Sequence, residues 1–333
     1  MKNLLSVSNI NKNFDQKEQP VLNEISFECG DGQILGIIGS SGSGKTTLLR
    51  IISGLEIPDS GEVMLNDKLI NSNNIYVTPE ERDCTLVFQD FALFPNMTVL
   101  QNISFGKNAL KNPERVQTLL ELTKIKDLQD RYPHEISGGE QQRVALVRAL
   151  VIKPSLLLMD EPLSHLDQEL RDNVRFDLIN LFRETNTTVL FVSHDTDDAM
   201  AMADKIVVLN DGKIDQIGTP MEIYSNPLNK YVALLFGKTN LIPLDIIPEA
   251  KYHFFDSKIK KEVISVRPHQ WKIINDESVV DTPTLLCKVI SVNLKGAFQQ
   301  AKLEYKKIIL IVDVPTRYPV EVGSDLKISF EEI

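Results

Sequence analysis

Along this chain, short runs that are apolar on both faces alternate with segments of helical period. Residues 34–38, 156–159, 189–193 and 206–209 are such runs, the pattern of strands buried within a parallel sheet. Between and after them, residues 48–52 read as a helix stopped by Gly54, and residues 167–185 and 196–203 as two more. The alternation predicts a mainly parallel sheet with helices on its faces, from about residue 4 to residue 236. Residues 93–152 depart from it: they read as helical with no strong strand, which predicts an all-helical insertion. After Gly237 the texture changes again. Short β-rich runs at 263–266, 285–292, 308–314 and 326–330 are separated by Pro, Gly, Asp and Lys turns, which predicts a small all-β domain of barrel type. The expected organisation is an α/β domain over 1–236 and a β-barrel over 237–333.

The first buried run leads without a gap into Gly39, Ser40, Ser41, Gly42, Ser43, Gly44, Lys45, Thr46 and Thr47, and then into a helix. The pattern G-x-x-x-x-G-K-[ST] is a phosphate cradle. Its glycines let backbone N–H groups converge, Lys45 can reach the β- and γ-oxygens, and the Thr46 hydroxyl can hold Mg²⁺. Phosphates there would also sit at a helix N-terminus, where the dipole favours anions. A flexible Gly/Ser turn is the bland alternative, and the flanking strand and helix count against it. The ligand expected is a nucleoside triphosphate.

Composition narrows the field. With 333 residues there is room for two domains. The balance of 36 Lys+Arg against 46 Asp+Glu, a net −10, argues against a broad nucleic-acid surface. No apolar run approaches the roughly 18 residues of a membrane span, and the N-terminus lacks the apolar stretch of a secretory signal. Cys29, Cys84 and Cys287 are isolated, which fits reduced thiols in a cytosolic setting and no metal role.

Two further segments carry chemistry. The run 156–159 ends in Asp160, Glu161 and Pro162. An acid at the tip of a buried strand is well placed to hold Mg²⁺, and the next residue, Glu161, to act as general base toward an attacking water. Standing alone, this segment reads better as a strand followed by a solvated acidic turn; beside the phosphate loop that alternative becomes weak. Ser137, Gly138, Gly139 and Glu140 open a helix; Ser137 with Glu140 forms a capping box, and the capped, glycine-flanked N-terminus doubles as a second phosphate-binding device. One phosphate loop already serves this chain, so the second makes sense on the ATP of another subunit.

Taken together and in this order, the loop 39–47, the Ser137-Gly138-Gly139-Glu140 signature, the strand ending in Asp160 and Glu161, and His194 resemble an ATP-binding cassette ATPase, the nucleotide-binding subunit of an ABC transporter. The resemblance covers about residues 4–236 and implies a P-loop NTPase fold of ABC type with ATP and Mg²⁺ as cofactors. It implies that Phe14 stacks on adenine, where a core or surface Phe is an equal alternative, and that Gln89, at the hinge to the helical insertion, contacts Mg²⁺ or the attacking water. It further implies that His194 contacts the γ-phosphate and that Asp167 belongs to a loop crossing the dimer interface. Its expected partners are membrane-spanning permease subunits, a second copy completing an ATP sandwich and, through the complex, an extracytoplasmic solute-binding protein; the expected location is the cytoplasmic face of the membrane. His165 and Ile136 depart from the usual residues, and altered interface packing is the expected effect.

Residues 79–95 resemble the importer branch that handles ferric iron, polyamines, sulfate and sugars. Val266-Arg267-Pro268 onward matches its small β-barrel regulatory domain, and residues 236–243 lean toward the iron(III) and polyamine group. Two rival readings remain: a non-transport cassette acting on ribosomes or DNA, and a C-terminal oligonucleotide-binding barrel. The single cassette without long heptads speaks against the first. The acidic balance and the lack of an aromatic-plus-basic stripe speak against the second.

Overall fold

The computed structural model describes residues 2–14, 19–105, 112–164, 166, 168–248, 250–274 and 284–330. They form two compact units, residues 1–220 and 221–333.

The first unit runs β1 (Asn3–Lys12), β2 (Leu22–Gly30), β3 (Ile34–Ile38), α1 (Lys45–Ser53), β4 (Ser60–Leu65), β5 (Lys68–Ser72), β6 (Ile75–Tyr76) and β7 (Cys84–Val87). Helices α2 (Val99–Ile103), α3 (Pro113–Leu122) and α4 (Gly138–Leu150) follow, with two short 3₁₀ turns between α3 and α4 and no strand among the described residues of this stretch. Then come β8 (Leu156–Asp160), α5 (Gln168–Thr185), β9 (Thr188–Ser193), α6 (Thr196–Met202), β10 (Lys205–Asn210) and β11 (Lys213–Gly218).

Two sheets result. One has the order β11-β10-β3-β9-β8-β7, parallel except for the β10–β11 hairpin. The other, β2-β1-β4-β5-β6, is antiparallel throughout and goes beyond the expected parallel sheet. Helix α1 lies between them: Leu48, Leu49, Ile51 and Ile52 are fully buried in one core with Leu5, Val7 and Ile25 of the antiparallel sheet and Leu158, Leu190 and Val207 of the parallel one. This sandwiching fixes the helix that begins in the phosphate-type loop.

The C-terminal end of α1 is held by a buried arginine. Arg82 donates to the carbonyls of Ile51 (2.7 Å) and Ile52 (2.8 Å) in the last turn of the helix, and to that of Val77 (2.8 Å) outside it, tying the helix end to the chain after β6. Gly54, at φ 84°, ends the helix where a Cβ would come within 2.6 Å of Arg82 Nε.

The second unit begins with α7 (Pro220–Ser225) and α8 (Lys230–Leu235) and continues with β12 (Asn240–Pro243), β13 (Phe254–Asp256), β14 (Lys261–Val266), β15 (Trp271–Ile273), β16 (Thr284–Leu294), β17 (Phe298–Tyr305), β18 (Ile308–Pro315) and β19 (Asp325–Phe330). Its sheets, β12-β14-β13 and β15-β19-β16-β17-β18, are wholly antiparallel and share a core that includes Val266, Trp271, Val289, Leu303 and Val312. The sequence reading sets the boundary at residue 236, whereas residues 221–236 pack with this unit. Arg267 gives the reason. Fully buried after β14, it donates to the carbonyls of Ala233 (2.8 Å), Gly237 (3.2 Å) and Tyr224 (3.2 Å) and lies 4.4 Å from the Tyr224 ring, pinning both helices to the β unit.

Replacing Arg82 by Met should cost about 3 kcal/mol, because the buried carbonyls lose charged donors. Thermal denaturation followed by circular dichroism should fall by roughly 6–12 °C for a unit of this size; an unchanged midpoint would show that Arg82 does not hold α1.

Candidate active site

Four parallel strands end level with one another. Ile38 at the end of β3 pairs with Ser193 of β9, Val192 pairs with Asp160 of β8, and Met159 pairs with Val87 of β7. The residues that follow these tips are Gly39, His194, Glu161 and, two past β7, Gln89. The sheet order therefore brings together four segments scattered over more than a hundred and fifty positions, at the carboxyl edge where α/β sheets bind ligands.

The loop after β3 is built to receive an anion. Gly44, at φ 105°, caps α1 with no side-chain hydrogen bond, so the first N–H groups of the helix face the loop's concavity. Gly39 cannot carry a side chain: a Cβ there would lie 2.1 Å from the Leu209 carbonyl oxygen. Lys45 Nζ donates back to the carbonyls of Gly39 (2.8 Å) and Ser40 (2.9 Å), and burial pulls its pKa below the usual value against the opposing charges of Glu161 and Asp160. A buried ammonium held only by neutral carbonyls is poised to exchange them for phosphate oxygens. Ser43 Oγ is buried without a partner beneath the loop.

A cavity of about 240 Å³ opens over this loop, lined by Ser41, Gly42, Gly44, Lys45, Thr46, Thr47, Val21, Phe14 and Glu161. Gly39, Ser40 and Ser43 form the turn below. Phe14 is partly exposed at the cavity, and Lys12 Nζ sits 5.0 Å from its ring centroid.

Thr46 Oγ1 donates to Asp160 Oδ1 at 3.2 Å, and burial pushes the Asp160 carboxyl up in pKa, opposed by that hydrogen bond. One hydroxyl and one half-buried carboxylate are hard oxygen donors, too few to cage a cation. They fit Mg²⁺ that takes its remaining ligands from phosphate and water.

Glu161 is the point of convergence. Its Oε2 lies 3.1 Å from His194 Nδ1 and accepts from Gln89 Nε2 at 3.5 Å. Its backbone is left-handed, at φ 46°, a conformation rare for a side-chain-bearing residue. Three hydrogen bonds hold it: its N–H donates to Val192 O (3.0 Å), and its carbonyl accepts from Ser164 N (3.2 Å) and Ser164 Oγ (2.9 Å). The turn thereby aims the carboxylate into the cavity rather than along the strand.

The signature stands apart from this cavity. Ser137 caps α4 in a complete capping box: its N–H and Oγ donate to Glu140 Oε2 at 2.7 and 2.8 Å, and Glu140 N donates to Ser137 Oγ at 3.4 Å. The backbone N–H of Ser137 holds the Glu140 carboxyl below its usual pKa. Ser137 and Gly138 are exposed, and a Cβ on Gly138 would meet nothing closer than 4.0 Å. Asp167 and His165 lie outside the described residues.

With this geometry in view, residues 22–164 match the ABC transporter family. The chain is 44% identical over 245 residues to the spermidine/putrescine import ATP-binding protein PotA of Marinobacter nauticus, covering 72% of this chain and 64% of that one, just under two thirds of its length. It is 36% identical over 341 residues to the Fe(3+) ions import ATP-binding protein FbpC 2 of Haemophilus influenzae, covering 98% of this chain and 94% of that one. The chain belongs to the ABC transporter family. A sulfate/thiosulfate import ATP-binding protein, CysA of Synechocystis, is 40% identical over 83% of this chain and 79% of its own. Among solved structures, the ATP-binding cassette MJ0796, a dimer in a post-hydrolysis state bound to ADP and Pi, is 28% identical with a TM-score of 0.56, covering 65% of this chain and 98% of that one. CbiO1 from Clostridium perfringens, part of the ABC transporter complex cbiONQ, is 28% identical with a TM-score of 0.61 over 67% of this chain and 91% of its own. The fold class read from the sequence therefore holds, and the cassette uses nucleotide.

Two residues of this ABC cassette's site were missed by sequence reasoning. Ser164 braces Glu161 and accepts from Gln89 Nε2 at 3.3 Å; its signal was a hydroxyl three residues after a turn residue. Lys12 flanks Phe14, and the alternation of an extended segment, which puts i and i+2 on one face, would have found it. Lys45→Ala should weaken ATP binding about tenfold or more, since a charged hydrogen bond is lost. Isothermal titration should read that loss; affinity within twofold of wild type would show that Lys45 does not hold the phosphates.

Proposed function

We propose that this cassette hydrolyses ATP to power solute import, docked on a membrane permease at the cytoplasmic face. The observation that carries the reading is the meeting of Gln89 and His194 on Glu161, beside the loop that holds Lys45. Glu161 takes the proton of the attacking water, His194 steadies the γ-phosphate, and Gln89 keeps Glu161 and the water in line. Thr46 and Asp160, with Gln89 in reach, would hold Mg²⁺, which would supply charge neutralisation on the phosphates. Phe14 takes the adenine ring. The exposed Ser137 and Gly138, with buried Gly139 behind them and Glu140 fixing the cap, serve the ATP of a second copy, and Asp167 belongs to the same interface.

Between β7 and the helical insertion lies a largely apolar groove of about 210 Å³ that includes Val87, Ile103, Phe105, Ala149 and Ile152. Phe105 is 58% exposed there and packs tilted against Phe94, with ring centroids 4.4 Å apart. Next to Gln89 and on the body that carries the signature, this groove suits a permease segment, and it gives ATP binding a route to the membrane subunits. An extracytoplasmic binding protein would deliver the solute. Ferric iron and polyamines come first as candidates, on the strength of residues 236–243 and the similarity to iron and polyamine relatives, with sulfate next. The second unit, with no phosphate-type motif among its described residues, serves regulation or contact between copies.

The test is reconstitution with candidate permease subunits in proteoliposomes and uptake assays for Fe³⁺, spermidine and sulfate. ATP-dependent uptake of one solute should appear with the wild type. Phe105→Glu should abolish permease binding and uptake while the free cassette hydrolyses ATP within about twofold of wild type, as expected for an exposed position away from the chemistry. ATP hydrolysis that no permease stimulates, with no uptake, would overturn the transport reading.

A further inference from the structure

Three arginines along one side of α5 each pair with an aspartate that follows β9. Arg171 bonds Asp195, Arg175 bonds Asp198, and Arg183 bonds Asp204. The rungs are not alike. Arg183 and Asp204 are half exposed, at 47% and 35%, whereas Asp198 is buried, at 4%, and Arg175 is largely covered, at 13%, with its Nη1 also donating to exposed Asp172 at 2.7 Å. Both Nη2 and Nε of Arg175 donate to Asp198 Oδ1, at 2.7 and 3.2 Å. The other carboxylate oxygen, Oδ2, accepts from Ser193 Oγ at 3.4 Å, and Ser193 Oγ accepts from Asp195 N at 2.9 Å. His194 thus sits between two residues tied down by the Arg175–Asp198 pair. Arg171 adds a link from Asp195 toward the Leu166 carbonyl, 3.5 Å away, which lies one turn of chain past Glu161.

An ion pair whose carboxylate is buried is a poor source of stability, because desolvation offsets the attraction. What it does supply is fixed geometry. From this we infer that Arg175 and Asp198 are positioning residues that hold His194 in reach of Glu161 and the γ-phosphate, so that α5 and the His194 turn act as one body. The inference rests on the reading of His194 given above. A shift of about 1 Å at such a group costs up to a hundredfold in rate, so the pair should be visible in kcat rather than in ATP affinity.

The experiment compares ATPase kinetics, ATP affinity and thermal denaturation for full-length variants. Asp198→Asn and Arg175→Met should lower kcat about tenfold or more with KM for ATP within about twofold, the pattern of an interaction made in the transition state. Arg175→Lys, which keeps one charged donor, should recover most of that loss. Arg183→Ala removes the exposed rung of the same ladder and should leave kcat within about twofold. Where a single variant fails to fold, the double variant Arg175→Met with Asp198→Leu removes both charges together, and once folded it should show the same kcat loss. Folded variants of the buried rung with wild-type kcat, or an equal loss in Arg183→Ala, would overturn the inference. His194→Ala separates the two levels: unchanged hydrolysis there would sink the role of His194 itself.

Discussion

Parallel pairing of β3, β9, β8 and β7 sets the height at which each strand stops, and the candidate chemistry hangs on that register. Because Ile38 pairs with Ser193 and Val192 with Asp160, the phosphate-type loop, His194 and Glu161 leave the sheet side by side. A slip by one residue would turn every side chain of a strand to the other face and separate them. The register is guarded by burial: β3 and β9 are buried along their whole length, so neither can slide without exposing apolar side chains or burying polar ones. The helical insertion leaves the sheet between β7 and β8, so the helix opened by Ser137 is carried on the segment that begins just past Gln89, and the groove lies between that segment and β7. Arg148 on that helix donates to the carbonyls of Phe91 and Ala92, both at 2.8 Å and both left-handed residues just past Gln89.

Glu161 shows how the scaffold stores local strain at the point of use. Its left-handed backbone costs on the order of 1–3 kcal/mol and persists because neighbours over-determine it. The Val192 carbonyl and Ser164 are those neighbours, one from the adjacent strand and one from the following turn. The same economy of parts recurs in the buried arginines. Buried Arg82 and Arg267 each bond backbone carbonyls near helix ends, and each thereby ties a helix to chain beside a sheet.

What the sequence made legible follows from the same physics. Strands buried on both faces are continuous apolar runs, so β3 was readable to the residue and β8, β9 and β10 to within a residue at their ends, while the half-exposed β14, β16, β18 and β19 of the second unit were readable to within one or two from their β-rich composition. The antiparallel sheet of β1, β2 and β4–β6 was not, because it is half exposed and its alternation is broken by register shifts at Ile10 and by left-handed Asn9 and Glu24. Strand β17 was hidden too. Its residues Gln299, Gln300, Lys302 and Glu304 are polar, and only pairing with β16 and β18, distant in local pattern, makes it a strand. In the site, the pattern around Lys45 and Thr46 stood out by its spacing, whereas Asp160 and Glu161 could also be read as a solvated acidic turn and joined the same site only through the family resemblance. The bracing of Glu161 by Ser164 and the Arg175–Asp198 pair were not legible, because tertiary contacts between residues far apart leave no local signature. The segment after Gly218 was assigned to the cassette because nothing local marks Arg267 as an anchor.

On the function proposed above, Glu161, held at the meeting of Gln89 and His194, is the base for ATP hydrolysis in a site completed by a second copy. The most direct measurement is the mass of purified Glu161→Gln in solution, by light scattering, with ATP and with ADP, alongside phosphate release. The amide keeps the shape of the site but cannot take a proton, so the account requires almost no phosphate release together with a dimer that forms on ATP and not on ADP. Phosphate release near the wild-type rate, or a monomer that binds ATP without pairing, would contradict it.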